Sequence, residues 1–169
     1  MGASYHGYHA DVTCTYPVSG SFTSEQLIVY ETVRLALEAV KKSARPGVAY
    51  KDLHHLAHRV MVESMTAHGL FVGDVDEMME TGLMHYFMCH GVGHALGLDV
   101  HDVGGYEPGT RRDASVRENL RFGRPLREGM VVTVEPGFYF NEYLIDEALA
   151  NPSVARFIVK PKLQQLRRV

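Results

Sequence analysis

The 169-residue sequence predicts an α+β domain, strands covered by amphipathic helices, and three observations carry that expectation. Residues 5–16 and 130–140 alternate with strand periodicity, two long segments between Thr23 and Gly69 repeat apolar residues at helical spacing, and turn residues punctuate the rest. An apolar content of 46% suffices for one buried core, and the length asks for no second domain.

The first strand is expected over Tyr5 to Tyr16, with Tyr8, Ala10, Val12 and Cys14 facing a core and His9, Asp11 and Thr13 facing away. Asp11 is disfavoured in a strand on propensity and asks for an explanation. Pro17 and Ser19-Gly20-Ser21 end the strand, and Thr23 with Gln26 three residues on makes a capping box that opens a helix. Its apolar stripe is Leu27, Val33, Leu37 and Val40, widened by Ile28 and Tyr30, and Arg45-Pro46-Gly47 stops it. A second helix is expected from Tyr50 to His68, burying Leu53, Leu56, Ala57, Val60, Met61 and Met65, with Gly69 as its stop. His54 and His58, four apart on it, are expected on a solvated polar face. A short helix over Asp74 to Met84 uses Met78, Met79 and Met84 as core filler. Residues 107–128 read as a long arginine-rich loop, followed by the strand from Met130 to Phe140 and short helical pieces at Leu144 to Ala150 and Ser153 to Phe157.

Composition narrows the function classes. The net charge of −3, from 17 basic and 20 acidic residues, gives no electrostatic reason to expect nucleic acid or an anionic membrane as partner. Apolar runs fall well short of the roughly 20 residues that span a bilayer, and the N-terminus has no basic-then-apolar leader. A soluble, cytoplasmic chain is expected. Cys14 and Cys89 match neither a redox nor a zinc spacing and are expected to be reduced, largely buried thiols.

The chemistry concentrates between Met88 and Tyr106. His90 and His94 are four apart, but Gly91 and Gly93 argue against a helix and no Glu follows His90, so a helical zinc motif is excluded. Glycines beside imidazoles permit close approach of a ligand to the backbone. His101 follows, flanked by Asp99 and Asp102, which could orient its ring. Glu135 interrupts the apolar run Val131-Val132-Thr133-Val134 and, like Asp11, should face a cation, a hydrogen-bond network or water. One shared cation would account for both carboxylates. A set of carboxylates with one imidazole favours Mn²⁺ or a related divalent ion over a thiolate zinc site.

Asp11-Val12-Thr13, His90-Gly91-Val92-Gly93-His94, Leu98-Asp99-Val100-His101-Asp102-Val103-Gly104-Gly105 and Thr133-Val134-Glu135-Pro136-Gly137 occur in the order of the pita-bread metallopeptidases. The chain resembles that family, which contains methionine aminopeptidase, aminopeptidase P and prolidase. The later Phe138-Tyr139-Phe140 and Leu144-Ile145-Asp146-Glu147-Ala148-Leu149-Ala150-Asn151-Pro152 are similar to the prolidase (Xaa-Pro dipeptidase) branch in particular. The resemblance implies an antiparallel sheet covered by helices and hydrolysis of Xaa-Pro dipeptides through a metal-activated water. It implies Asp11, His94 and Glu135 as metal ligands, Glu135 also as partner of the water, and His90 and His101 as catalytic groups that hold the substrate carbonyl. Arg121 falls where the family carries an arginine for the dipeptide's terminal carboxylate. Two divalent ions, Mn²⁺ foremost, and a homodimer of the full-length protein belong to the same implication.

The family uses five metal ligands, two Asp, one His and two Glu, and three have counterparts here. Residues 1–169 are therefore expected to be a partial catalytic domain, lacking the strand before Met1 and the strands after Val169, and a poor catalyst alone. Two other functions compete: an aminopeptidase P acting on longer Xaa-Pro peptides, and a non-catalytic binding module on the same fold.

Overall fold

The computed structural model describes residues 2–106 and 120–168. Arg111, Arg112 and Arg117 of the long loop lie outside the described residues. Among the described residues the elements are β1 (Ser4–Tyr5), β2 (Tyr8–His9), α1 (Ser24–Ser43), α2 (Tyr50–Ala67), α3 (Val75–Glu80), a 3₁₀ turn (Leu83–Tyr86), α4 (Glu142–Ala150), α5 (Pro152–Ala155) and α6 (Lys160–Leu166).

The helices form for the reasons legible in the sequence. Thr23 accepts from the Gln26 N–H while the Gln26 side chain accepts from the Thr23 N–H, which satisfies two otherwise orphaned donors at the start of α1. Asp74 caps α3 and Asn141 caps α4 in the same way, through the N–H groups of Glu77 and Leu144. α1 packs on α2, with Thr32, Ala36 and Val40 buried and the Thr32 and Ser64 hydroxyls hydrogen-bonded at 2.6 Å between the helices.

The buried face of α2 differs from expectation. It comprises Tyr50, Leu53, His54, Ala57, His58, Met61, Val62 and Met65, whereas Leu56 and Val60 are only partly covered. The helix is thus rotated about one position from the all-apolar stripe, and His54 and His58 are 1% and 4% exposed rather than solvated. Both spacings fit a helix; the difference is that packing accepts two neutral imidazoles beside Leu53 and Met61 to bury the large Tyr50 ring. The fully buried Leu53, Met61 and Met65 each contribute about 1.5–3 kcal/mol by leaving water. Beyond α2 the core continues through an aromatic cluster in which Phe87 stacks on Phe138 at 5.0 Å and meets Phe71 edge-on at 5.2 Å. Met78 and Met84 are core filler, as their spacing suggests.

The strands are shorter than expected. Instead of one strand over residues 5–16, β1 and β2 form a two-residue antiparallel hairpin, turned at His6 and Gly7 with φ of 50° and 85°. Tyr8 and Val12 stand 62% and 61% exposed, so the alternating pattern there serves no core face in this structure. Cys14 and Cys89 form no disulfide and are exposed rather than buried; Cys89 faces outward although Phe87 and Met88 just before it lie in the core.

The second expected strand also departs from regularity. Residues 131–135 run antiparallel to residues 92–96, with a bridge between Ala95 and Val132, and the N–H groups of Leu96, Thr133 and Glu135 pair across with the carbonyls of Val131, His94 and Val92 at 2.8–3.1 Å. The reciprocal bonds are replaced by side chains. The His94 N–H donates to the Thr133 hydroxyl at 3.0 Å, the Tyr50 hydroxyl donates to the Thr133 carbonyl at 2.5 Å, and the Val92 N–H donates to His54 Nδ1 at 3.2 Å. Half of the ladder is therefore taken over by α2 and Thr133, which interrupts the strand at the residues that carry chemistry.

Candidate metal centre

His94 lies on one segment of this interrupted pair and Glu135 on the other, while the residues after β2 bring Asp11 to the same point. The His9 N–H donates to the Gly97 carbonyl and the Ala10 N–H to the Ala3 carbonyl, both at 2.9 Å, which ties the Asp11 segment to the end of the histidine segment. His94 Nε2 is 3.3 Å from Asp11 Oδ2 and 2.9 Å from Glu135 Oε1, and among the described residues these three form a group able to hold a metal ion.

The protonation pattern follows from the partners. His94 Nδ1 lies 2.9 Å from the Ala95 carbonyl, which can only accept, so Nδ1 carries a hydrogen and Nε2 is the nitrogen whose lone pair the neutral ring offers to a cation. The His94 side chain is 6% exposed, yet neither carboxylate oxygen meets hydrogen-bond geometry at Nε2, so this buried nitrogen has no hydrogen-bond partner among the described residues. A lone pair and two carboxylates aimed at one another repel unless a cation stands between them. The donor set, one imidazole held through its other nitrogen by a carbonyl plus two carboxylates, fits a divalent ion.

Thr133, missed in the sequence reading, orders this centre. Its hydroxyl donates to Glu135 Oε1 at 2.7 Å while accepting from the His94 N–H, so one buried side chain joins both segments. Its position two residues before Glu135, hence on the same strand face, was the signal available. Gly93 allows the approach. A Cβ there would stand 2.3 Å from both the Thr133 carbonyl and the Tyr50 hydroxyl oxygen.

The other expected residues are placed with mixed results. His101 is exposed and meets the His94 ring edge-on, with centroids 4.4 Å apart. No hydrogen bond among the described residues joins its ring to Asp99 or Asp102. His90 is half-buried, with Nδ1 2.7 Å from the Gly91 carbonyl and Nε2 2.7 Å from the Tyr139 hydroxyl. The carbonyl fixes the hydrogen on Nδ1, so Tyr139 donates to Nε2. Burial, Cys89 and Glu135 hold the Tyr139 hydroxyl protonated by raising its pKa. Arg121 is exposed, and among the described residues no contact links its side chain to Asp11, His94 or Glu135. Its carbonyl oxygen approaches Gly105 so closely that a Cβ there would have no room.

A helix-covered antiparallel pair carrying an imidazole between two carboxylates defines a candidate hydrolytic metal centre, and comparison with known proteins agrees. Residues 1–157 match Metallopeptidase family M24, and the chain belongs to that family. It is 46% identical to human Xaa-Pro dipeptidase over 168 residues, 99% of this chain and 34% of the relative. An Escherichia coli aminopeptidase P variant superposes with a TM-score of 0.72 at 36% identity, over 93% of this chain and 32% of the other. A zinc-substituted E. coli aminopeptidase P in complex with product gives 0.69 at 39% identity, over 81% and 28%. The fold is accordingly the expected α+β pita-bread fold in part, and the chain spans about a third of the length of the curated relatives it matches.

Proposed function

We propose that these residues form part of the active site of a metal-dependent Xaa-Pro dipeptidase. The observation that carries the metal centre is the buried His94 Nε2, which faces Asp11 and Glu135 without a hydrogen-bond partner among the described residues. The high identity to human Xaa-Pro dipeptidase supports the substrate class. Asp11, His94 and Glu135 would be the ligands in this chain, and the five-ligand pattern of the resembling family would add two further carboxylates and a second ion, manganese being the ion favoured by an oxygen-rich donor set. Divalent ions there supply Lewis acidity and an activated water.

The chain's own residues do the rest. Glu135 accepts a proton from the attacking water and passes it to the departing nitrogen as the amide bond breaks, its Oε1 steadied by the Thr133 hydroxyl. His90, whose Nε2 is hydrogen-bonded to the Tyr139 hydroxyl at 2.7 Å, receives the substrate carbonyl. His101, edge-on to His94, stabilises charge on the opposite side, and Arg121 swings in from solvent to pair with the dipeptide's carboxylate. A cytoplasmic homodimer of the full-length protein is part of the same proposal and rests on the resemblance to prolidases alone.

A second reading is aminopeptidase P activity on longer Xaa-Pro peptides, favoured by the solved structures that this chain superposes on. The test compares Gly-Pro and a longer Xaa-Pro peptide as substrates of the full-length protein, in wild type, Arg121→Ala and His94→Ala. The dipeptidase reading expects His94→Ala to lose Mn²⁺ binding and turnover, and Arg121→Ala to lose Gly-Pro hydrolysis selectively. Equal turnover of both substrates by wild type and Arg121→Ala would remove the clamp and favour the second reading.

A further inference from the structure

The buried imidazole of His54 has no part in the mechanism above, yet it touches the centre's backbone. Its Nδ1 accepts from the Val92 N–H at 3.2 Å, midway between His90 and His94. In a regular antiparallel pair the Val92 N–H would go to the carbonyl of Glu135, whose own N–H does bond the Val92 carbonyl at 2.8 Å. One turn earlier on α2, Tyr50 takes the Thr133 carbonyl in the same manner. Tyr50 and His54 are four residues apart, so they stand on one face of α2 and hold one segment each.

An acceptor role leaves His54 a single protonation state. Nδ1 must be unprotonated to accept, so Nε2 carries the hydrogen, and Nε2 finds no hydrogen-bond partner among the described residues. Burial and the neighbouring His55 and His85 keep the ring neutral, with a pKa pushed down to about 3. An aliphatic side chain would pack there without an unsatisfied donor, so only the bond at Nδ1 offsets the cost of an imidazole.

We infer that His54 is a positioning residue of the metal centre, holding the Val92 peptide from α2 so that His94 meets Asp11 and Glu135 while His90 faces the substrate. The inference rests on the proposed metal site, but the Val92 hydrogen bond exists whether or not that site binds an ion. A glycine on each side of Val92 gives the backbone little stiffness of its own, which is why an outside anchor has an effect.

The experiment uses the full-length protein with His54→Leu, His54→Asn and His54→Gln. Asn places its amide oxygen close to the Nδ1 position, Gln reaches toward Nε2, and Leu keeps bulk without an acceptor. The readouts are hydrogen–deuterium exchange of the peptide covering Val92, Mn²⁺ affinity by chelator competition, and kcat and KM on Gly-Pro. His54→Leu is expected to speed exchange at Val92 and weaken Mn²⁺ binding about 10- to 100-fold, as loss of groups that orient metal ligands does, and to lower kcat more than it raises KM. His54→Asn is expected to restore all three and His54→Gln to restore none. Wild-type exchange and Mn²⁺ affinity in His54→Leu, or equal losses in Leu and Asn, would overturn the inference. If Leu does not fold, the Asn and Gln variants decide, and equality between them overturns it. A wild type that binds no Mn²⁺ refutes the proposed function, while exchange at Val92 still decides the role of His54.

Discussion

Replacing Gly93 by alanine tests the tight packing around the candidate metal centre. The added Cβ would fall 2.3 Å from the Thr133 carbonyl oxygen, 2.3 Å from the Tyr50 hydroxyl and 2.7 Å from the Thr133 hydroxyl. Two of these atoms form the 2.5 Å Tyr50 to Thr133 bond, and the third bridges His94 and Glu135, so no movement of one flexible side chain relieves the overlap. The backbones at 93 and 133 must separate. Overpacking of this kind costs about 1–3 kcal/mol. Breaking the bond of the fully buried Tyr50 hydroxyl adds roughly 1–3 kcal/mol, since its desolvation is then uncompensated. A total of about 2–6 kcal/mol lowers the melting temperature by on the order of 4–24 °C in a domain of this size. Differential scanning calorimetry of wild type, Gly93→Ala, Tyr50→Phe and the double variant measures it. The cycle should be non-additive, because Tyr50→Phe removes one of the atoms that the new Cβ strikes. A Gly93→Ala protein within about 0.5 kcal/mol of wild type would show that these segments are not packed as described.

Two further outcomes follow from buried polar groups. Thr133→Val keeps the shape but removes the acceptor of the His94 N–H and the donor to Glu135, and should cost about 1–3 kcal/mol in urea unfolding and weaken Mn²⁺ binding; unchanged metal affinity would show that Glu135 needs no such support. His54 and His58 both have pKa values lowered by burial, His54 to about 3, so below about pH 6.5 the unfolded chain binds protons that the folded chain does not. Stability should fall as pH drops from about 6.5 toward 3, by at most roughly 1.4 kcal/mol per unit for each ring, and His58→Leu should flatten the slope of the urea midpoint against pH. A midpoint independent of pH over that window would mean that these rings reach water.

The comparison between sequence and structure is sharpest at α2 and at the two interrupted segments. Helix positions, caps and stops were legible because they depend on neighbours in the chain: Thr23 and Gln26 make their box wherever the helix lies, and Asn141 caps α4 by the same local rule. The site residues Asp11, His94 and Glu135 were legible because charge among strand-like apolar residues needs a partner, and their order resembles one family. α6, over Lys160–Leu166, was not foreseen, since Pro161 at its start reads equally as a turn.

Which face of α2 is buried was not legible. Sequence spacing offers two stripes one position apart, and the choice is made by the shape of what packs against the helix, which accepts His54 and His58 in place of Leu56 and Val60. The strand from 130 to 140 was misjudged for a related reason. Its side chains alternate, but a ladder is a property of two segments, and here Tyr50, His54 and Thr133 from elsewhere take bonds the ladder would use. The sequence by itself determined the helices other than α6, the family and the residues with unusual chemistry, because those follow from local geometry and from the cost of isolated charge. Only the tertiary structure decided that α2 reaches the candidate metal centre, because a hydrogen bond between residues 38 apart exists only once the chain has folded both ends to one place.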